Sequence, residues 1–165
     1  MADDRARDLL RLMAPGTQLR DGLDRIVQGR TGAVVVLGSN AVLTRISTGG
    51  FTIDAPCTAT NLRELAKMDG AIVLDDTLQQ VTHAGVHLMP DARTPTDEAG
   101  TRPRTADRVA RQSDLPVVSG SASMGTIRLY DGGTPHLVRR PEYLMTRADQ
   151  TLQALDRAGS RIDEA

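Results

Sequence analysis

Aromatic side chains are almost missing from this sequence. Phe51, Tyr130 and Tyr143 make up 2% of its 165 residues, and there is no tryptophan. A core built from this chain has to be aliphatic, and the stacking platforms that grip single-stranded nucleic acid have few rings to draw on. Cysteine occurs once, as Cys57, which excludes an internal disulfide and a cysteine-rich metal site within one chain. With nothing beside it to mark a nucleophile, Cys57 reads as a small buried apolar residue. An excess of charge of one sign is missing too: 20 basic residues face 21 acidic ones, for a formal charge of −1. That balance argues against a large electrostatic footprint for DNA. Lys67 is the only lysine, so every other basic side chain is arginine, a bias that reflects genome composition more often than function. Long apolar runs are missing as well. The longest, Ala33–Leu37 and Ala71–Leu74, are far too short to span a bilayer, and the opening Met1-Ala-Asp-Asp-Arg5 is no secretory signal. The expectation is a soluble, cytoplasmic chain with no membrane association.

What is present fits an ordinary globular domain. The chain is 39% hydrophobic and 25% charged, which excludes collagen-like, mucin-like and strongly disordered classes. At this length it buries roughly 68–70% of its unfolded surface, enough for a core without staples. No internal repeat or composition break divides it, so residues 1–165 read as one domain with no DNA-binding domain attached.

The hydrophobic pattern orders the elements. Asp3 to Met13 reads as a helix stopped by Ala14-Pro-Gly16, and Thr17 caps a second helix with Leu19, Leu23, Ile26 and Val27 at helical spacing. Ala33–Leu37 is a buried strand bounded by glycines, and Val42–Ile46 a weaker strand closed by Gly49-Gly50. Thr58–Lys67 is a third helix, Gly70–Leu74 and Gln80–Met89 are strands, and Pro90–Gly100 is a polar loop. Pro103–Gln112 is a fourth helix. Pro116–Val118, Thr126–Tyr130 and His136–Val138 are strands, with a turn at Asp131-Gly-Gly133. A C-terminal amphipathic helix opens at Pro141 and runs over about 141–161. Some strand pairs are joined too tightly for parallel crossovers, so the fold class is α/β with a mixed sheet and helices on both sides.

Four places carry chemistry-bearing side chains. Gly100-Thr-Arg-Pro-Arg-Thr105 crowds two guanidiniums and two hydroxyls at a helix start, where unpaired N–H groups and the positive dipole end favour phosphate; a capped helix with solvated arginines explains the same residues. Asp69 lies between a helix end and a buried strand, and Gly70 after it allows close approach to the backbone; taken alone, Asp-Gly is better read as a turn between helix and strand. Ser119-Gly-Ser-Ala-Ser123 follows an apolar strand and offers hydroxyls and N–H groups to an anion, although glycine and serine are ordinary loop residues. His87-Leu-Met-Pro-Asp91 is the fourth. His83, His87 and His136 lack metal-ligand spacing.

Asp69-Gly-Ala71 together with Gly100-Thr-Arg-Pro-Arg-Thr-Ala106 resembles the paired signature of the diadenylate cyclase domain, of the DNA-integrity scanning (DisA) type. Leu19-Arg-Asp-Gly-Leu23, Arg30-Thr-Gly-Ala33, Gly49-Gly-Phe51, Glu64 to Ala71, Pro95-Thr-Asp-Glu98 and Ala106 to Gln112 extend the resemblance over nearly the whole chain. It implies a mixed, largely seven-stranded sheet flanked by helices. It also implies a nucleotidyltransferase that condenses two ATP molecules into the second messenger cyclic di-AMP with loss of two pyrophosphates. Each protomer would hold one ATP, in a face-to-face dimer or a higher assembly such as an octamer. By the same resemblance Asp69 is the catalytic residue and ligand of Mg2+ or Mn2+. Gly70, Thr101, Arg102, Arg104, Thr105 and Ser121 match nucleotide- and phosphate-contacting positions, and Leu88 lies where the backbone reads adenine. The sequence departs from the pattern at Pro103, which stands where the family has histidine; proline neither ligates a metal nor donates a hydrogen bond. Two alternatives therefore stand beside the cyclase: a nucleotide-binding domain with lost or altered turnover, and a cyclase using another nucleotide.

Overall fold

A computed structural model of the chain describes residues 2–139. Among them the elements run α1 (Ala2–Leu12), α2 (Gln18–Gln28), β1 (Ala33–Leu37), α3 (Ala41–Arg45), β2 (Ser47–Thr48), β3 (Phe51–Pro56) and α4 (Ala59–Leu65). After these come β4 (Ala71–Leu74), β5 (Gln80–Leu88), α5 (Thr101–Ser113), β6 (Val117–Ser121), β7 (Thr126–Tyr130) and β8 (His136–Arg139). The helix expected over about 141–161 lies outside the described residues.

Among the described residues the sheet has eight strands in the order β2-β5-β4-β1-β6-β7-β8, with β3 branching from β5. Its mixed character is confirmed, with one strand more than the seven expected. Among the described residues only β1 and β4 pair in parallel, with Val35 opposite Ile72; every other ladder is antiparallel. β1 and β4 are buried along their whole length, as expected of central strands covered on both faces.

Helices cover both faces, and two aliphatic clusters show it. On one side Leu19, Leu23, Ile26 and Val27 of α2 and Leu62 of α4 pack with Val35, Leu37, Ile72, Leu74, Ile127 and Leu129. On the other, Leu43 of α3 and Ala106, Val109 and Ala110 of α5 pack with Val34, Val36, Val73, Val117 and Tyr130. Alternating strand residues thus serve opposite clusters, as the pleat requires.

Two local expectations are corrected. The stretch expected to be a strand at Val42–Ile46 is helix α3. Asn40 decides this, because its Oδ1 accepts from the Leu43 N–H at 2.9 Å while its Nδ2 donates to the Ser113 carbonyl at 2.7 Å; a capped turn tied to α5 outweighs the β-branched residues. The second correction is β3. Its residues alternate only between exposed and half-buried, so this outer strand carries no hydrophobic signature.

Candidate active site

The topology gathers several chain segments at one end of the sheet. Because β1 and β4 run parallel, their amino ends share that edge, and antiparallel β6 delivers its carboxyl end there. The α2–β1 loop, Asp69 before β4, the end of β6, the β6–β7 turn and the start of α5 therefore converge. They enclose a cavity of about 970 Å³, large enough for a nucleotide-sized ligand.

Each wall has a physical origin. The α2–β1 loop turns on two left-handed residues, Arg30 (φ 60°) and Gly32 (φ 66°), and presents Arg30 and Thr31 to the cavity. A non-glycine residue held at positive φ is uncommon, and such positions concentrate at functional sites. The start of α5 contributes Gly100, Thr101, Arg102 and Pro103. Gly100 occupies the N-cap position and makes no side-chain cap bond, which leaves the positive end of a 13-residue helix available to an anion. Pro103 is the third residue of this helix, where its missing N–H has no intrahelical partner to lose.

The loop before α5 is tied down. Thr96 Oγ1 donates to Asp107 Oδ2 at 2.7 Å, and Arg111 Nε donates to Asp107 Oδ1 at 3.0 Å. Arg108 Nε donates to the Thr94 carbonyl at 3.0 Å, and the Asp91 N–H to Gln112 Oε1 at 2.9 Å. Asp107 is 1% exposed, so both of its oxygens are used to hold the loop rather than to meet a ligand. This attachment places Glu98 on the cavity wall, where its Oε2 accepts from Arg128 of β7 at 2.8 Å.

β6 and β7 form the inner wall. Their register pairs Val117 with Tyr130, Ser119 with Arg128 and Ser121 with Thr126, so these six side chains share one face. Val117 and Tyr130 join the α5-side core, and the face turns polar toward the cavity. Ser121 Oγ accepts from the Met124 N–H at 3.3 Å and lies 3.3 Å from Ser123 Oγ. Burial pushes the Tyr130 phenol up to about 12, with the Glu98 carboxylate adding to the rise and Arg128 opposing it.

Of the residues singled out in the sequence, Asp69, Thr101, Arg102 and Ser121 line this cavity, whereas Gly70, Leu88, Arg104 and Thr105 do not. A Cβ on Gly70 (φ 113°) would lie 2.6 Å from the Gly85 carbonyl carbon and 2.8 Å from the Val86 oxygen, so what approaches Gly70 closely is strand β5. Leu88 is half-buried against the α3–α5 cluster, with its backbone opposite Ser47. Arg104 and Thr105 follow in the same turn of α5. The Ser119–Ser123 segment singled out in the sequence lines the cavity, whereas the sequence reading missed Arg30, Thr31, Glu98, Thr126, Arg128 and Tyr130 as wall residues. Arg30-Thr-Gly-Ala33 and Pro95-Thr-Asp-Glu98 were visible as motifs, while the cross-strand partners on β7 carry no local signal.

Charge is unevenly paired. Glu98 and Arg128 neutralise each other, whereas the side chains of Asp69, Arg30 and Arg102 have no hydrogen bond or ion pair among the described residues. No group of three or more histidine, cysteine or carboxylate side chains suited to a metal occurs among the described residues. A single bare carboxylate fits a hard divalent cation shared with ligand phosphates, not an all-protein cage. Two unpaired guanidiniums, an uncapped helix start and several hydroxyls suit a polyphosphate.

Comparison with known proteins agrees with this chemistry. Residues 20–134 match the family described as DisA bacterial checkpoint controller nucleotide-binding. The chain is 49% identical over 162 residues to the DNA integrity scanning protein DisA of Kineococcus radiotolerans, covering 98% of this chain and 45% of that protein. It is 51% identical over 162 residues to its counterpart from Frankia casuarinae, with the same coverage. The counterpart from Streptomyces coelicolor is 48% identical over 163 residues, 99% of this chain and 44% of that protein. The chain thus spans about half the length of these relatives. Among solved structures, DacA from Staphylococcus aureus (an N166C/T172C double mutant) superposes with a TM-score of 0.61 at 20% identity, covering 84% of this chain and 93% of that one. A hypothetical membrane spanning protein from Bacillus cereus gives a TM-score of 0.62 at 22% identity, covering 73% and 61%. These two share the fold. No helix among the described residues is long and apolar enough to cross a membrane.

Proposed function

The chain belongs to the DisA bacterial checkpoint controller nucleotide-binding family, and from that membership we propose that it condenses two molecules of ATP into cyclic di-AMP. Each 3′-hydroxyl attacks the α-phosphorus of the other nucleotide. Two new phosphodiester bonds form, two bonds to pyrophosphate break, and the two hydroxyl protons leave to solvent or base. One protomer offers one cavity and one Asp69, so two protomers face each other across the reacting atoms in an isologous contact.

Reactions of this kind need positioning and charge stabilisation more than covalent help from the protein. Arg102, Thr101, Ser121 and the helix start orient the phosphates, with Arg104 and Thr105 in the following turn. The Leu88 backbone reads adenine, and Gly70 keeps β5 close beneath Asp69. Asp69 orients the attacking hydroxyl, and with ligand phosphates it would hold Mg2+ or Mn2+. A bound divalent ion of this type supplies Lewis-acid stabilisation of the phosphoryl oxygens. The observation that carries this reading is a carboxylate, Asp69, on the same cavity as two guanidiniums, Arg30 and Arg102, all three unpaired among the described residues.

Pro103 favours a second reading, a nucleotide-binding domain with lost or altered turnover, because proline cannot replace a ligating histidine. Incubating the chain with ATP, and separately with the other common nucleoside triphosphates, with Mg2+ or Mn2+, followed by mass spectrometry of the products, decides between them. Cyclic di-AMP is the expected product. A different cyclic dinucleotide identifies another substrate, and tight ATP binding without product establishes the second reading.

A further inference from the structure

The α2–β1 loop is gripped from behind by an arginine that is not on the cavity wall. Arg63, in the last turn of α4, is half-buried, and its guanidinium lies against Gly29, the C-cap of α2. A Cβ on Gly29 would sit 2.5 Å from Arg63 Cζ and 2.8 Å from its Nε. Unlike Gly32, Gly29 has a backbone that any residue adopts (φ −77°), so what demands glycine here is room for the guanidinium. Arg63 Nη1 donates to Thr31 Oγ1 at 3.5 Å, and that hydroxyl donates in turn to the Ile26 carbonyl at 3.3 Å. No carboxylate pairs with Arg63 among the described residues; the carboxyl ends of α2 and α4 offer it partial negative charge instead.

The arm that carries this guanidinium is fixed on α2. The Ala59 N–H donates to Gln18 Oε1 at 2.9 Å, and Arg25 Nη1 donates to Thr60 Oγ1 at 3.3 Å. Between these ties Leu62 packs so closely that a Cβ on Gly22 would lie 2.7 Å from its Cδ1. The loop needs such a hold. Arg30, directly after Gly29, stands at φ 60°, a conformation that costs a non-glycine residue energy and persists only where its surroundings over-determine it. The Arg30 side chain makes no hydrogen bond or ion pair among the described residues, so its aim into the cavity is set by its backbone alone.

We propose that Arg63 is a positioning residue of the nucleotide site: seated on Gly29 and bonded to Thr31, it clamps the α2–β1 loop from outside the cavity and so aims Arg30 at the bound nucleotide. The inference rests on the nucleotide reading above. It gives Arg63 no contact with the ligand, and it makes Gly29 the seat on which the clamp depends.

The test uses two variants that disturb the clamp from opposite sides. Arg63→Met keeps the apolar stem and removes the guanidinium. Gly29→Ala suits the backbone and evicts the far end of a flexible side chain, so it folds. ATP with Mg2+ is titrated calorimetrically into the wild-type chain, both variants and the double variant. Each single variant is expected to bind ATP several-fold to roughly tenfold more weakly, the range for one lost hydrogen bond. The double variant should bind no more weakly than the weaker single, because both remove the same clamp. In an Arg30→Ala chain, Arg63→Met should cost nothing further. A purely structural Arg63 would lower the melting temperature and leave the affinity of the folded chain alone. Wild-type affinity in either folded variant therefore overturns the proposal, as do additive losses in the double variant or a full further loss in the Arg30→Ala chain. If Arg63→Met fails to fold, Gly29→Ala decides alone. A wild-type chain that binds no ATP overturns the nucleotide reading itself, and the proposal with it, an outcome distinct from a binding wild type whose variants match it.

Discussion

The guanidinium of Arg102 rests over Gly32: a Cβ at Gly32 would lie 2.5 Å from Arg102 Nη1 and 3.1 Å from the Gly120 carbonyl oxygen. The start of α5 and the loop entering β1 thus fit together through a missing side chain, at a residue whose φ of 66° already favours glycine. Gly32→Ala should therefore cost about 1–3 kcal/mol of stability from backbone strain, read by denaturant unfolding. It should also displace Arg102 and weaken nucleotide binding. Titration in a double-mutant cycle with Arg102→Ala separates the two effects. A loss of affinity that disappears in the Arg102→Ala background shows action through the guanidinium, and an additive loss refutes it.

Asp69 and Pro103 test turnover. Asp69→Asn keeps the shape and removes the charge, so binding of ATP should survive while formation of cyclic dinucleotide falls by orders of magnitude, as expected of an interaction that matters most in the transition state. Pro103→His should leave the fold intact at this third helical position and raise turnover or widen metal use. Product assays across Mg2+ and Mn2+ concentrations check both. Equal turnover in Asp69→Asn would remove that carboxylate from the reaction.

Asp107 ties the Thr94–Glu98 segment to α5 from a buried position. Asp107→Ala leaves Thr96 Oγ1 and Arg111 without their acceptor, and the loss should be about 1.5–3 kcal/mol, the range for hydrogen bonds to charged groups. Unfolding curves measure this. Because Glu98 lies on the tethered loop, nucleotide affinity should fall in the same variant; a destabilised variant with wild-type affinity would show that the tether does not shape the cavity.

Alkaline pH should unfold the chain earlier than acid-stable surface pairs would suggest. Burial pushes the Cys57 thiol from 9.0 up to about 11, with the Asp75 carboxylate adding to it, and the Tyr130 phenol from 10.0 up to about 12. A group whose pKa is raised in the folded state contributes its full stability below the unfolded value and loses it as pH rises through the folded one. Stability should therefore be level up to about pH 9 and decline from there to about pH 12. Melting temperatures against pH, repeated with Cys57→Ala and Tyr130→Phe, should show a shallower decline in each variant. Slow alkylation of Cys57 in the folded chain at neutral pH is the companion expectation.

Segments with a strong local pattern were legible in the sequence. Ala33–Leu37 and Ala71–Leu74 announced themselves as uniformly apolar runs, and Thr17 as a cap, which accepts from Arg20 N–H; Thr58, read as the first residue of the third helix, is its cap and accepts from Asn61 N–H. The Thr101–Arg104 turn was readable as a helix start crowded with hydroxyls and guanidiniums because helix starts have a fixed physics. Val42–Ile46 was misread because its fate depends on Asn40 bonding to Ser113, a partner far along the chain. β3 was missed because an outer strand need not be apolar. Glu98, Arg128 and Tyr130 escaped notice as cavity residues for a related reason: their meeting is a product of strand register and a tethered loop, and neither is written in any short window.

That register also links two tasks that mutation could otherwise separate. Thr126, Arg128 and Tyr130 face the cavity side, while Ile127 and Leu129 between them fill the opposite core. A slip of β7 by one residue would send both leucine-type side chains into a polar recess and turn the arginine into a greasy layer. The aliphatic residues on the opposite face thus act as proofreaders of the cavity wall. Any substitution that loosens Ile127 or Leu129 should surface first as blurred ligand selectivity, before the chain as a whole gives way.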